Sequence, residues 1–184
     1  MIELEHPGAG PTPQGADPSA RLRATAYHEA GHAVVALMGG DRVPKQATIV
    51  PAGDVLGSVS YAKWSSGLRP DCYLTPGRMQ LVQARIDTLL AGVIAERRGT
   101  GRRHNWTGGT SDIDSATDLA AYLNGSDRQT ELFLRWRRLC VRDKVELHWP
   151  EIERLAVTLL ARGTLTSDEI RQIVIQQRSK ADQA

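Results

Sequence analysis

The feature that most restricts the fold of this chain is a pair of histidines inside an apolar helical segment. His28 and His32 lie four residues apart in the run His28-Glu29-Ala30-Gly31-His32. Side chains at this spacing lie one turn apart on the same face of a helix. Two such imidazoles can reach the same tetrahedral Zn²⁺ ion, and Glu29 beside them can act as a general base. The sequence therefore predicts a helix with a metal-binding face. The alternative is two helical histidines beside a surface glutamate.

Capping residues and glycines divide the chain into short elements. Asp17 and Thr75 each precede a proline, a pattern that is typical of a helix N-terminus. Thr166 and Glu169 form a capping box, and Ser111 is predicted to cap another helix. The predicted helices span residues 18–38, 76–99, 111–124, 127–148, 150–163 and 166–180, and the predicted strands span residues 46–51 and 55–63. The fold class is therefore mainly α, with a small β-hairpin or sheet beside the histidine helix.

The chain length and the positions of prolines and glycines also predict the domain organisation. A chain of 184 residues suits one domain with a buried core. Prolines and glycines crowd residues 1–16, which are therefore expected to be a disordered leader. Residues 17–180 are expected to form the single domain, and residues 181–184 a tail.

Composition excludes several classes of protein. Charged residues make up 24% of the chain, which excludes wholesale disorder. A net charge of +2 does not indicate nucleic-acid binding, and the arginines around residues 97–103 and 135–142 are interpreted as solvated helix ends and faces. No apolar run reaches the length of a membrane span, and no secretory signal opens the chain. With no CxxC pair among its two cysteines, the chain is expected to be cytoplasmic.

A metal site of this kind needs a third protein ligand, so that one position stays open for chemistry. Side-chain chemistry alone does not choose among the available donors. Asp112 follows a glycine-rich loop and opens a helix, whereas Glu96 lies near the end of a long helix. The candidates are Glu96, His104, Asp112, Asp114 and His148.

Four segments occur in a fixed order along the chain. They read AYHEAGHAVV at 26–35, VPKQATIVP at 43–51, LAGVIAE at 90–96 and TGGTSDI at 107–113. In this order they resemble the FtsH-type zinc metallopeptidases of family M41. The likeness covers roughly residues 24–175, and it extends far beyond the two histidines.

The resemblance implies an activity and a set of roles. His28, His32 and Asp112 would bind one Zn²⁺ per chain, and Glu29 would serve as general base. Glu96 would lie close to the metal without being a ligand. The implied reaction is the hydrolysis of peptide bonds in unfolded or flexible polypeptides.

The resemblance also implies where substrate binds. The β segment of that family receives an extended polypeptide at a strand edge, and strand addition has a general physical basis. On this analogy the cleft is lined by Thr48, Ile49 and Val50 or by Val59 and Tyr61.

Family members are anchored in membranes and carry an ATPase that unfolds substrates. This sequence contains no G-x-x-x-x-G-K-[ST] phosphate-binding motif. We therefore expect a stand-alone peptidase unit that acts on chains already unfolded, unless a separate ATPase delivers them. The oligomeric state stays open, because rings in that family form through the ATPase. The alternative function is a catalytically silent, zinc-stabilised peptide-binding or regulatory module.

Overall fold

The computed structural model describes residues 17–63, 75–101 and 109–181, which form six α-helices and three short β-strands. The helices are α1 (Pro18–Gly39), α2 (Pro76–Thr100), α3 (Gly109–Ala121), α4 (Asp127–Leu147), α5 (Trp149–Arg162) and α6 (Ser167–Ala181). The strands are β1 (Pro44–Thr48), β2 (Ser58–Tyr61) and β3 (Thr164–Thr166). The prediction of a mainly helical fold with a small sheet beside the first helix is confirmed.

The helix ends follow from local capping chemistry. Asp17 accepts a hydrogen bond from the backbone N–H of Ser19 at 3.0 Å, and α1 stops at Gly40, whose φ of 75° suits a glycine. Glu169 accepts a hydrogen bond from the backbone N–H of Thr166 at 2.8 Å, as the capping box requires. The predicted cap at Ser111 is wrong, because α3 begins at Gly109 and Ser111 lies inside its first turn.

Helix α1 is the centre of the domain. Every residue from Ala24 to Ala36 is buried, because α2, α5 and the sheet all pack against it. A helix that is enclosed on all sides holds a core position, and its few polar side chains are therefore buried as well. Leu22 is 39% exposed because it precedes this enclosed stretch. The two histidines therefore lie in the most enclosed part of the fold.

The three strands form an antiparallel sheet in the order β2-β1-β3. Strand β1 is central, and it pairs with β2 on one side and with β3 on the other. The sequence pattern did not predict β3, because three residues between two helices are too short to show alternation. Strand β2 is an edge strand among the described residues, and this property matters for the site.

A buried ion pair joins α2 to α4. The carboxylate of Asp87 accepts hydrogen bonds from Arg137 Nε at 2.8 Å and from Lys144 Nζ at 2.6 Å. The Asp87 side chain is only 1% exposed. The interpretation of the arginines around residues 135–142 as solvated is therefore wrong for Arg137, whose guanidinium neutralises a buried charge.

Several sequence predictions lie outside the described residues. These are the leader at residues 1–16, the candidate ligand His104 and residues 182–184 of the tail. The division into leader, domain and tail stays a prediction. None of the helices in the described ranges has the length and apolar composition needed to span a bilayer.

Candidate metal centre and cleft

The imidazoles of His28 and His32 converge on one point. Their Nε2 atoms are 3.0 Å apart, and their ring planes are nearly perpendicular, with an angle of 82°. Both rings are held from behind by α2. His28 Nδ1 lies 3.0 Å from Glu96 Oε2, and His32 Nδ1 donates to the backbone carbonyl of Thr88 at 2.7 Å. These outer hydrogen bonds fix the ring orientations and direct both Nε2 atoms to the same side.

Asp112 completes the convergence from the first turn of α3. Its Oδ2 atom lies 2.9 Å from His28 Nε2 and 3.1 Å from His32 Nε2. Burial alone would raise the pKa of Asp112. The hydrogen bonds from His28 and His32 outweigh burial, and hold that pKa well below its usual range. Asp112 is therefore a carboxylate, and a carboxylate is a ligand for zinc.

The donor set fits a metal ion. Ligand atoms bound to one tetrahedral zinc lie about 3.3 Å from one another, close to the three distances seen here. Burial lowers the pKa of His28, but Asp112 and Glu96 outweigh burial and raise that pKa to about 9. The site thus attracts positive charge. A proton can bridge only one pair of the three atoms, whereas a metal ion satisfies all three. Among the described residues, His28, His32 and Asp112 are the group that could hold such an ion.

Glycines make this geometry possible. A Cβ atom at Gly92 would lie 2.4 Å from His32 Nε2 and 2.9 Å from His28 Nε2. A Cβ atom at Gly31 would lie 2.6 Å from Ala95 Cβ, so that α1 and α2 could not approach as they do. Both histidine rings therefore lie directly against the backbone of α2.

Glu29 lies beside the metal site on the cleft side of α1. Burial raises the pKa of Glu29, and the positive charges of His32 and His28 offset this rise only in part. A carboxylate with a raised pKa is a stronger base than a solvated one. Glu29 is therefore placed and tuned to accept a proton in the cleft.

The metal site opens into a cleft of about 450 Å³. One wall is α1, with Arg21, Thr25 and Glu29, and the other is the loop and strand from Asp54 to Tyr61. Arg85 and Leu89 of α2 and Ser111 and Asp112 of α3 also line the cleft. Strand β2, whose four residues span about 13 Å, forms part of its wall.

The structure brings five predicted site residues together, namely His28, Glu29, His32, Glu96 and Asp112. The other ligand candidates lie elsewhere. Asp114 is exposed on α3, and His148 lies at the junction of α4 and α5, with Nδ1 3.7 Å from Glu151. His104 is outside the described residues. Glu96 contacts the outer nitrogen of His28, on the side away from the other ligand atoms.

The predicted substrate-binding residues separate into two groups. Val59 and Tyr61 line the cleft. Thr48, Ile49 and Val50 are not among the residues that line it. Thr48 is the last residue of β1, whose two edges are both paired, and Ile49 and Val50 follow it. Thr48 Oγ1 lies 2.8 Å from Thr164 Oγ1, and Ile49 donates its backbone N–H to Gly163.

Three residues at the site were not predicted from the sequence. Thr88 acts through its backbone carbonyl, which no side-chain pattern reveals. Gly92 lies in the LAGVIAE segment, inside a long predicted helix. A glycine at such a position indicates close packing and could have identified this residue. Arg85, seven residues before Gly92, lies on the cleft wall, but one arginine among many gives no signal in the sequence.

Comparison with known proteins identifies relatives over most of the chain. The sequence profile described as Peptidase family M41 matches residues 17–123. The chain is 32% identical over 176 residues to "ATP-dependent zinc metalloprotease FTSH 11, chloroplastic/mitochondrial" of Arabidopsis thaliana, covering 82% of this chain and 21% of that protein. It is 32% identical over 183 residues to "ATP-dependent zinc metalloprotease YME1L1" of Homo sapiens, covering 83% and 22%.

A yeast relative bears on location. The chain is 29% identical over 187 residues to "Mitochondrial inner membrane i-AAA protease supercomplex subunit YME1" of Saccharomyces cerevisiae, covering 84% of this chain and 23% of that protein. The predicted cytoplasmic location is wrong, since the relatives are named as chloroplastic, mitochondrial or inner-membrane proteins. The chain spans only about a fifth of the length of these relatives, so the signals within it do not decide where it resides.

Proposed function

This chain belongs to peptidase family M41, and from that premise we propose that it is a zinc-dependent endopeptidase unit. Its substrates would be unfolded or flexible polypeptides. The observation that carries the proposal is the convergence of His28 Nε2, His32 Nε2 and Asp112 Oδ2 within 2.9–3.1 Å of one another, beside Glu29. Each relative named above as a zinc metalloprotease supports the same class of reaction.

Each residue of the site has a separate role in the proposed reaction. His28, His32 and Asp112 would hold the ion, while Glu96 and the Thr88 carbonyl keep both imidazoles oriented. Zinc bound there would supply Lewis-acid activation of water and of the substrate carbonyl. Glu29 would take the proton from the attacking water and pass it to the leaving amine. The raised pKa of Glu29 supports both halves of this transfer.

The cleft supports a polypeptide substrate. Strand β2 is an edge strand whose residues Val59 and Tyr61 line the cleft above α1. An extended segment added to this edge would gain backbone hydrogen bonds without regard to its sequence. A folded substrate cannot offer such a segment. The 184 residues contain no phosphate-binding motif of the form G-x-x-x-x-G-K-[ST].

The test is cleavage of a permanently unfolded, casein-like protein with zinc present and ATP absent. We expect cleavage by the wild-type chain and none by Glu29→Gln. Glu153→Gln, which removes an exposed carboxylate on α5, is the matched control and should cleave as the wild type does. Zinc content measured on the same samples should be about one ion per chain, and His28→Ala should lower it.

Two results would contradict the proposal. Zinc content that is negligible and unchanged by His28→Ala would refute the metal site. Stoichiometric zinc and peptide binding without any cleavage would instead favour the alternative, a zinc-stabilised module that binds peptides. In that case Glu29→Gln would leave peptide affinity unchanged.

A further inference from the structure

Part of the cleft wall belongs to a compact cluster that the proposed chemistry does not use. The Tyr61 ring contacts two guanidinium groups, with Arg42 Cζ 4.8 Å and Arg85 Cζ 5.0 Å from its centroid. Asp41 Oδ2 lies 3.4 Å from Arg85 Nη1, and Asp41 Oδ1 lies 3.9 Å from Arg42 Nε. We call Asp41, Arg42, Tyr61 and Arg85 the arginine cluster.

The arginine cluster presents Arg85 to the cleft. Arg85 and Tyr61 both line the cleft, whereas the Asp41 side chain is only 2% exposed and lies behind them. The Arg85 side chain is 21% exposed, so part of its guanidinium faces the open space. A guanidinium has five N–H donors. The contact with Asp41 uses Nη1 at 3.4 Å, and the Tyr61 hydroxyl is a second hydrogen-bond partner of the guanidinium. Arg85 therefore keeps N–H donors that can bind an incoming carboxylate.

The electrostatics of the cluster favour a carboxylate beside Arg85. The guanidiniums of Arg42 and Arg85 both lie near the buried carboxylate of Asp41. Burial lowers the pKa of Arg42, and repulsion from Arg85 lowers it further. A carboxylate arriving from the cleft would be attracted to Arg85 in a partly buried site, where a charge pair is screened less than at the surface.

Arg85 is also close to the reacting centre along α2. It precedes Thr88 and Leu89 by three and four residues, which places all three on one face of the helix. The Thr88 carbonyl holds His32, and Leu89 lines the cleft. Arg85 is thus one helical turn from the residue that orients a metal ligand. A substrate side chain one to three positions from the scissile bond would reach it, because each strand residue advances about 3.3 Å.

Two further charged side chains line the cleft, namely Arg21 and Asp54. A positive and a negative side chain together give no clear preference for either sign. Apart from these two and the residues at the proposed reacting centre, Arg85 is the charged side chain among the described cleft-lining residues, so selection for charge is concentrated there.

We propose that the part of the cleft lined by Arg85 and Tyr61 is a subsite for an acidic side chain of the substrate. The inference rests on the proposed peptidase function and names its preferred substrates, which are polypeptides with Asp or Glu within three positions of the cleaved bond. Tyr61 holds the Arg85 guanidinium in place by stacking and through its hydroxyl. Arg85 is a specificity residue and takes no part in the hydrolysis.

The test uses labelled, unstructured peptides that differ at one residue, which is Glu, Gln or Lys. This residue is placed in turn at each position along the peptide. The full chain, loaded with zinc, is used in two forms. Wild type reports kcat/KM for cleavage, and Glu29→Gln reports peptide affinity by fluorescence anisotropy without cleavage. Each measurement is repeated with Arg85→Gln, with Arg85→Lys and with the exposed control Arg154→Gln.

At one position, we expect the Glu peptide to exceed the Gln peptide about tenfold in affinity and in kcat/KM. It should exceed the Lys peptide by more. A tenfold difference corresponds to the contribution of one charge-assisted hydrogen bond. Arg85→Gln should abolish the preference, Arg85→Lys should keep part of it, and Arg154→Gln should leave it unchanged. Added salt should reduce it.

Two outcomes would overturn the proposal, namely cleavage and binding without preference for Glu, or a preference that survives Arg85→Gln. If no peptide is cleaved but the Arg85-dependent preference in affinity remains, the subsite stands and the proposed peptidase function fails. The two proposals are therefore tested separately by the same peptides.

Discussion

The substitution Gly92→Ala tests the site through a single methyl group that adds no charge and removes no ligand. The new Cβ would lie 2.4 Å from His32 Nε2, 2.5 Å from His32 Cε1 and 2.9 Å from His28 Nε2. Ordinary contact begins at 3.4 Å, so the His32 ring must retreat by roughly 1 Å. Metal–ligand distances tolerate about 0.2 Å. The substitution therefore removes at least one ligand from the position that zinc requires.

The expected effect is a loss of zinc affinity of at least 100-fold, or about 2.7 kcal/mol, since displacement of a ligand exceeds the 10–100-fold effect of an outer contact. Zinc affinity would be measured by competition with a chromophoric chelator. Helix propensity alone would favour alanine by about 1 kcal/mol, so a loss of zinc cannot be attributed to a weaker helix.

The matched control lies in the same helix. A Cβ at Gly77 would meet nothing within 4 Å, so Gly77→Ala should keep wild-type zinc affinity. Circular dichroism should show that both variants retain the helical content of the wild type. If Gly92→Ala binds zinc as tightly as the wild type, the histidine rings do not lie against α2, and the geometry argued above is refuted.

Three further substitutions test the packing, the buried charge and the capping. Gly31→Ala should lower the free energy of unfolding by about 1–2 kcal/mol, because its Cβ would lie 2.6 Å from Ala95 Cβ; an unchanged urea midpoint would contradict this. Asp87→Asn should cost about 3–5 kcal/mol in the same assay, because Arg137 keeps a buried charge, and a cost below about 1 kcal/mol would show that the pair is solvated. The hydrogen bonds at the start of α6 lower the pKa of Glu169 from 4.5 to about 2, so its stabilising contribution is complete above pH 4.5 and is lost as the pH falls towards 2. The stability difference between wild type and Glu169→Gln should shrink over that range, and a constant difference would refute the capping role.

The ends of the helices could be predicted from the sequence because their causes are local. Asp17, Thr75 and Ser126 each accept a hydrogen bond from a backbone N–H two or three residues ahead. Such contacts depend on a few neighbouring residues, which the sequence displays directly. The start of α3 was missed because a serine followed by an acid resembled a cap, although the helix begins two residues earlier.

Features that depend on distant residues could not be predicted in the same way. Strand β3 exists because β1 has an edge available 116 residues earlier, where Thr48 meets Thr164. The burial of Arg137 depends on Asp87, 50 residues away on another helix. In both cases, the sequence around each partner contains no pattern that indicates the other. Tertiary contacts of this kind decide which arginine of a cluster is solvated and which is buried.

The candidate metal site likewise combines a local feature that the sequence predicts with contacts from distant residues that it does not predict. The spacing of His28 and His32 predicts that their rings share a face, but it leaves their direction undefined. Glu96 and the Thr88 carbonyl supply that direction from α2, and residues alone did not choose Asp112 over the other candidate ligands. Only the resemblance to a family singled out Asp112 and Glu96, since a family motif records long-range contacts that a single sequence does not display.

Glycines distinguish this site from a chance pair of helical histidines. Gly31 lets α2 approach α1, and Gly92 leaves room for both rings. Gly57 brings the sheet side against the same helix, because a Cβ there would lie 2.5 Å from Thr25 Cγ2 and 3.1 Å from Glu29 Cγ. Gly31 and Gly92 lie where α2 meets α1, and Gly57 lies where the segment before β2 meets it. A short H-E-x-x-H run arises easily by chance, but glycines at its close contacts with both α2 and the sheet side do not. The specificity of the motif therefore resides in the packing around the ligands as much as in the ligands themselves.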